Sequence, residues 1–189
     1  MVTKGEKKSI SEIEKVINLL GLNYKDIESY EKRARLPVLQ SIIDHYARGE
    51  VISNYTFIDE MLNVLICHNF FDRERSFIKY WKTKKFQAFN YFILEKLSLL
   101  NKLDLVKFLI KIPDDIESDI KSINSLRNGL AHSFFPQNLK RNRSIYKGKK
   151  IFTLEGLKQF TNDSRKINRF LTKKAFKLNE ADFYITDGT

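Results

Sequence analysis

The chain of 189 residues is long enough for one domain with a hydrophobic core, and its 42% apolar residues argue against a disordered chain. Seven glycines and three prolines leave little material for a turn-rich all-β fold, so a mainly helical protein is predicted. With a single cysteine, Cys67, neither an intramolecular disulfide nor a thiolate metal site can form.

The formal net charge of +11 is concentrated in one stretch of the chain. Residues 137–177 contain 13 Lys or Arg against two acids, and the remaining residues carry as many acids as bases. Such a stretch suits a polyanionic partner, nucleic acid first. The alternative is that these side chains only keep a helical surface solvated.

The first half of the chain reads as helical. The chain as a whole shows no signal-peptide segment and no run of about 18 apolar residues, so a cytoplasmic protein without a membrane span is expected. A first helix is predicted over residues 9–21. A second region runs over residues 25–48, interrupted near Pro37 and closed by Gly49, and a third over residues 53–70.

Further helices are predicted towards the middle of the chain. Apolar residues at spacings of three and four predict one amphipathic helix over residues 84–100, and a shorter helix follows over "LDLVKFLIKI". Asp114 can cap the next helix, which continues until Pro136 ends it. The apolar pattern of that helix places Arg127 in a slot of its buried stripe.

The last part of the chain combines a turn and a helix. Alternating residues around Lys147-Gly148 predict a small β-hairpin near residues 144–153, and Thr153 is suited to capping a final helix. The whole pattern predicts an all-α bundle of four or five antiparallel helices. Two regions are expected: an N-terminal helical extension over residues 1–50, and the bundle with its basic C-terminal segment over residues 51–189.

A polar cluster stands at the end of the helix that begins near Asp114, in "SLRNGLAHSFFP", residues 125–136. Burying Arg127, Asn128 and His132 without partners costs on the order of several kcal/mol, so they have either structural partners or a function. Asn128 and His132 share one side of a helix, and Arg127 lies about 140° from His132. Near the helix end the arginine and the histidine could converge on one phosphate.

These residue types suit phosphodiester chemistry. The ordinary pKa of histidine, about 6.5, lets it take and return a proton at neutral pH. Arginine offers a planar fork of donors that matches phosphate oxygens and keeps its charge. The basic residues that follow are candidates for contacts with the backbone phosphates of a nucleic acid: Lys140, Arg141, Arg143, Lys147, Lys149 and Lys150.

The segment "LRNGLAH", at the end of a capped amphipathic helix, resembles the Arg-polar-x(3–5)-His signature of the HEPN domain family. The likeness covers about residues 53–135 in architecture and is specific over residues 126–132. It implies a metal-independent endoribonuclease without a cofactor, acting as a homodimer in which two Arg–His segments face each other. By the same resemblance His132 acts as general acid or base toward the ribose 2′-hydroxyl, and Arg127 holds and neutralises the scissile phosphate. Asn128 orients the phosphate or the histidine. The products would be a 2′,3′-cyclic phosphate and a 5′-hydroxyl.

One position departs from a subgroup of that family. HEPN toxins paired with nucleotidyltransferase antitoxins resemble Arg-x4-His-x-Tyr, in which the tyrosine is modified. Phe134 stands at that position here, so neutralisation by AMP transfer at residue 134 is excluded and an antitoxin of that type is in doubt. Tyr146 is a conceivable substitute, although its spacing does not favour it. A toxin–antitoxin, phage-defence or stress system is the expected setting, with an antitoxin or a neighbouring-gene protein as partner.

Three other interpretations stay open. The same fold could bind RNA or a protein without cutting, or the chain could be a basic helical DNA-binding regulator, although no clear helix-turn-helix pair is present. In a purely structural interpretation, Arg127 pairs with an acid such as Glu95 or Asp59, and His132 caps backbone carbonyls.

The remaining candidates are weaker. His45 is expected to be structural, since a cation is favoured near a helix C-terminus. Cys67 and His68 are adjacent and point about 100° apart on a helix, so they form no dyad. Tyr80 and Trp81 could stack on bases, as in a single-strand platform. The three histidines lie in separate elements without metal-binding spacing, so no metal is expected.

Overall fold

A computed structural model describes Lys8, Ser11, Lys15 and residues 32–71, 82–131 and 144–176. The described residues are 83% helical, which confirms the all-α class. These ranges contain the helices α1 (Lys32–Phe70), α2 (Lys84–Phe92), α3 (Leu99–Leu109), α4 (Asp114–Ala131) and α5 (Leu154–Phe176). A 3-10 turn at Leu94–Lys96 joins α2 to α3, and β1 (Ile145–Tyr146) pairs antiparallel with β2 (Lys149–Lys150). Of the helix predicted over residues 9–21, Ser11 and Lys15 are described, and both are helical.

The long helix α1 replaces two predicted elements. Pro37 and Gly49 both lie inside it, so the interruption near Pro37 and the helix end at Gly49 are wrong. A stripe of apolar side chains, each at most 4% exposed, continues past the glycine at four-residue intervals: Leu39, Ile43, Ala47 and Val51. A glycine inside a helix costs about 0.5–1 kcal/mol. Burying one aliphatic side chain gains about 1.5–3 kcal/mol, so packing outweighs the glycine.

The helix predicted over residues 84–100 is broken into α2 and α3. Leu97 between them is extended, with φ −82° and ψ 131°. The hydroxyl of Ser98 then accepts a hydrogen bond from the Asn101 N–H at 3.3 Å and caps α3. A serine N-cap favours a new helix start, which the apolar periodicity alone did not reveal.

The described residues divide into two compact units, the first made of those up to Ser53 together with Ser125–Asp163. Its hairpin turns at Lys147 (φ 45°) and Gly148 (φ 82°), which confirms the predicted hairpin. Gly156, in the first turn of α5, lies so close to the Lys150 carbonyl that a Cβ at this position would collide with it. Thr153 accepts a hydrogen bond from the Gly156 N–H at 3.2 Å, which confirms the predicted cap.

The second unit consists of Asn54–Asn124 and the residues from Ser164 onward. Its elements are joined by ion pairs as well as by apolar packing. Lys102, 4% exposed, binds the Asp59 carboxylate at 2.7 Å. Lys166 on α5 binds Asp115 at 2.6 Å and Asp119 at 3.4 Å, both on α4.

The predicted boundary at residue 50 stays a prediction, because most of residues 1–31 lie outside the described parts. Among the described helices, none has both the length and the apolar character needed to cross a bilayer.

Candidate functional site

The end of α4 carries the first two predicted catalytic residues. Leu126, only 2% exposed, takes the buried position that the apolar pattern gave to Arg127. Arg127 lies beside it and is half-buried, and Asn128 is exposed. The prediction that Arg127 occupies the buried stripe is therefore wrong by one position, and the guanidinium stands at the edge of the core.

Arg127 and Asn128 are joined by their side chains. The Arg127 Nη1 donates a hydrogen bond to the Asn128 Oδ1 at 3.1 Å. Since Asn128 is exposed, this pair places a guanidinium and an amide on the outside of the helix within one turn of its end. His132 lies outside the described residues, and its predicted convergence with Arg127 stays a prediction.

A second arginine meets the same helix end, and sequence reasoning missed it. The Arg48 Nη1 on α1 donates to the Leu130 carbonyl oxygen at 2.8 Å, across 82 residues of sequence. The last carbonyls of a helix lack partners within the helix, so a guanidinium there both satisfies one and opposes the negative end of the dipole. No local pattern around Arg48 indicates this contact, because it depends on how two distant segments pack.

The six predicted phosphate-contacting residues are only partly described. Lys140, Arg141 and Arg143 lie outside the described residues. Lys147 binds the Asp163 carboxylate at 2.8 Å, and Lys149 binds Glu155 at 2.6 Å. Lys150 is exposed, and no carboxylate among the described residues pairs with it. Of the three described lysines it is the best placed to meet an anion from solution.

A buried carboxylate fixes the hairpin to α5. Asp163 accepts hydrogen bonds from the Tyr146 hydroxyl at 3.0 Å, from Lys147 at 2.8 Å and from Gln159 at 3.1 Å. Burial disfavours the ionised carboxylate, but these donors outweigh burial and lower the pKa of Asp163 below its ordinary value. Tyr146 is 1% exposed with its hydroxyl engaged, which speaks against its being a modified tyrosine.

Two of the weaker candidates, His45 and Cys67, lie in described parts of the chain, and their contacts there are those of structural residues. His45 is exposed, and its Nδ1 lies 2.8 Å from the Ser41 carbonyl, to which it donates. Cys67 is 2% exposed; burial, with a smaller contribution from Glu60, raises the pKa of its thiol to about 11. Tyr80 and Trp81 lie outside the described residues.

Two carboxylates named in the structural interpretation have their own partners in the second unit. Asp59 binds Lys102, and Glu95 accepts a hydrogen bond from the Asn90 amide at 2.8 Å. Glu95 also lines an open cavity of about 480 Å³ in this unit, together with Glu60, Cys67 and Tyr91. A cavity with two carboxylates does not suit a phosphate, and no predicted site residue lines it.

Comparison with models of protein families, with curated proteins and with solved structures gave no match to this chain.

Proposed function

We propose that this protein is a metal-independent endoribonuclease of the HEPN type, with Arg127, Asn128 and His132 as its catalytic residues. The observation that carries the proposal is the Arg127–Asn128 pair, hydrogen-bonded at 3.1 Å and placed at the edge of the core. Asn128 is exposed, so a ligand from solution can reach this pair. The segment "LRNGLAH" also contains His132, four residues after Asn128.

Each residue has a defined chemical task in this proposal. His132 removes the proton from the ribose 2′-hydroxyl, whose oxygen attacks the adjacent phosphorus. The bond from phosphorus to the 5′-oxygen breaks, and that oxygen takes a proton from a histidine acting as acid. Arg127 stabilises the extra negative charge that develops on the phosphoryl oxygens, and Asn128 orients Arg127. The products are a 2′,3′-cyclic phosphate and a 5′-hydroxyl.

The reaction needs a base and an acid at once, which a homodimer supplies when two His132 side chains flank one phosphodiester. The charge of the chain agrees with an RNA substrate, because all of the +11 lies in residues 137–177. A cytoplasmic toxin or defence protein, held inactive by an antitoxin or a neighbouring-gene protein, is the biological role that we propose.

Cleavage of labelled RNA in the presence of EDTA tests the proposal. His132→Ala and Arg127→Ala should each lower the rate at least about 100-fold, the size typical of losing a general acid–base group or a transition-state donor. His45→Ala is the matched histidine control and should leave the rate unchanged. RNA with a 2′-O-methyl group at the cleaved position should resist. Undiminished cleavage by His132→Ala would refute the assignment.

A non-catalytic RNA- or protein-binding module is the second candidate, and the concentrated positive charge favours RNA among its ligands. In that case the wild-type protein binds RNA with salt-sensitive affinity and leaves it intact under all conditions tested. His132→Ala would then bind as tightly as the wild type.

A further inference from the structure

The cavity in the second unit has acidic and amide walls. It is lined on one side by α1 and on the other by α2 and the 3-10 turn that follows, and its volume is about 480 Å³. This is the size of a small-molecule site, and far more than one metal ion or one water fills. All lining residues belong to one compact unit. The polar ones carry oxygen acceptors: Glu60, Asn63, Gln87, Asn90 and Glu95.

Two carboxylates give the cavity a negative charge. Glu95 accepts a hydrogen bond from the Asn90 amide at 2.8 Å through one of its oxygens. Glu60 makes no hydrogen bond or ion pair with the described residues. Burial raises the pKa of the Cys67 thiol in the same wall, and the nearby charge of Glu60 adds to that rise. Charges that line a recess concentrate their field there, so the cavity attracts a cation.

An acceptor without a partner lines the same cavity. The Asn63 Oδ1 is shielded from solvent, and no described residue donates a hydrogen bond to it. Leaving a buried acceptor unsatisfied costs free energy, and such groups in folded proteins nearly always have a partner. A ligand that brings an N–H into the cavity supplies the missing donor.

The remaining wall is apolar. Phe86 is 5% exposed and Leu94 is 1% exposed. The ring of Tyr91 already attracts an ammonium group, since the Lys96 Nζ lies 5.3 Å from its centre. Apolar surface between oxygen acceptors matches methylene groups between nitrogens. A hydrated metal ion makes no use of such surface, and the carboxylates repel a nucleic acid.

We propose that this cavity binds a linear polyamine, with the Glu60 and Glu95 carboxylates pairing with its ammonium groups and the Asn63 Oδ1 accepting one N–H. The methylene segments lie against the apolar wall. The site is distinct from Arg127, which belongs to the other compact unit. It depends neither on RNA cleavage nor on the resemblance to HEPN domains.

Isothermal titration calorimetry of spermidine into the full-length protein at 50 and 300 mM KCl tests the site. Nucleic acid is first removed from the protein, because it would itself bind the polyamine. We expect the wild type to bind with a dissociation constant below about 1 mM at the lower salt and more weakly at the higher salt. The neutral chain 1,8-octanediol, of similar length, should not bind measurably.

Substitutions of the wall separate charge from shape. Glu60→Gln/Glu95→Gln keeps the size of both side chains and should weaken spermidine binding at least about tenfold, the loss expected for a charged hydrogen bond. Asp104→Asn/Glu155→Gln removes two exposed carboxylates that do not line the cavity and should change the affinity less than twofold. If the double glutamine variant is unstable, Glu60→Gln alone, at an exposed side chain, should still weaken binding at least threefold.

Asn63→Leu separates a role in ligand binding from a role in the fold. Leucine has a similar volume and leaves no acceptor unsatisfied, so the denaturant midpoint should stay the same or rise. Spermidine should nevertheless bind at least threefold more weakly. Unchanged affinity in this variant would remove Asn63 from the site.

Three results would overturn the proposal. One is the absence of spermidine binding by the wild type, or equal binding by the double glutamine variant. Another is octanediol binding as tightly as spermidine, which would make the cavity an apolar pocket. The third is MgCl2 binding as tightly as spermidine with the same loss in the double variant, which would make it a metal site. RNA cleavage should not change in these variants, so the proposed function is tested separately.

Discussion

At the scale of single residues, the catalytic candidates follow from sequence, but their surroundings do not. The segment "LRNGLAH" is visible in the chain, and its arginine and asparagine do interact. Arg48, which binds the Leu130 carbonyl at 2.8 Å, could not be found in this way, because its partner lies 82 residues further on. Contacts between distant segments depend on packing, and a periodic pattern on one helix carries no information about them.

The same limit applies to Asp163, whose role in holding the hairpin emerges only when α5 and the hairpin meet. Replacing it by asparagine keeps the shape but removes the charge that Lys147 and Tyr146 contact. We expect Asp163→Asn to lower the free energy of unfolding at pH 7 by about 1–3 kcal/mol, the typical cost of an unsatisfied buried partner. Urea unfolding at pH 7 measures this loss.

The pH dependence of that loss has a defined sign. Because the pKa of Asp163 is lowered in the folded protein, its contribution is present above the ordinary carboxyl pKa and lost as pH falls through the folded value. The difference between wild type and Asp163→Asn should therefore shrink towards pH 2.5. Glu155→Gln, which removes a carboxylate with a 74% exposed side chain, should matter little at either pH. A difference that stays constant with pH would contradict this account.

At the scale of elements, local chemistry predicted the hairpin and the last helix better than the long ones. Lys147-Gly148 and Thr153 act through neighbours a few residues away, so their sequence signals were sufficient. Gly49 does not end α1, because burial of the apolar stripe on both sides of it, from Leu39 to Val51, outweighs one flexible residue. Where the helix predicted over residues 84–100 is broken, Ile93 is 45% exposed and Leu94 is 1% exposed. The sequence does not indicate which of these two adjacent apolar residues is buried.

Two glycines make opposite predictions about alanine substitution. Gly49 is exposed inside α1, with no atom near the position of a Cβ, so Gly49→Ala should stabilise the protein by about 0.5–1 kcal/mol. At Gly156 a Cβ would collide with the Lys150 carbonyl, so Gly156→Ala should destabilise by about 1–3 kcal/mol. The denaturant midpoints of both variants, compared with that of the wild type, measure these two changes in stability. Equal effects at the two positions would contradict the continuous α1 and the close approach of β2 to α5.

At the scale of the whole molecule, the proposed reaction depends on two copies of the chain. If base and acid come from different subunits, dilution below the dimer dissociation constant should lower the activity per chain in proportion to the dimer fraction. Cleavage rates across a dilution series, compared with sedimentation at the same concentrations, measure this. Constant activity per chain where sedimentation finds only monomers would exclude a shared site and leave a single-subunit mechanism.

The burial of Cys67 makes the wild-type chain suitable for selective labelling. With its thiol pKa raised from 9.0 to about 11, Cys67 has at neutral pH roughly 100-fold less thiolate than a cysteine of ordinary pKa. A new cysteine at the exposed Ser125 would therefore react first with a maleimide spin label, without removal of the native residue. Pulsed electron paramagnetic resonance on such a sample measures the distance between the labels on the two α4 helices of the proposed homodimer.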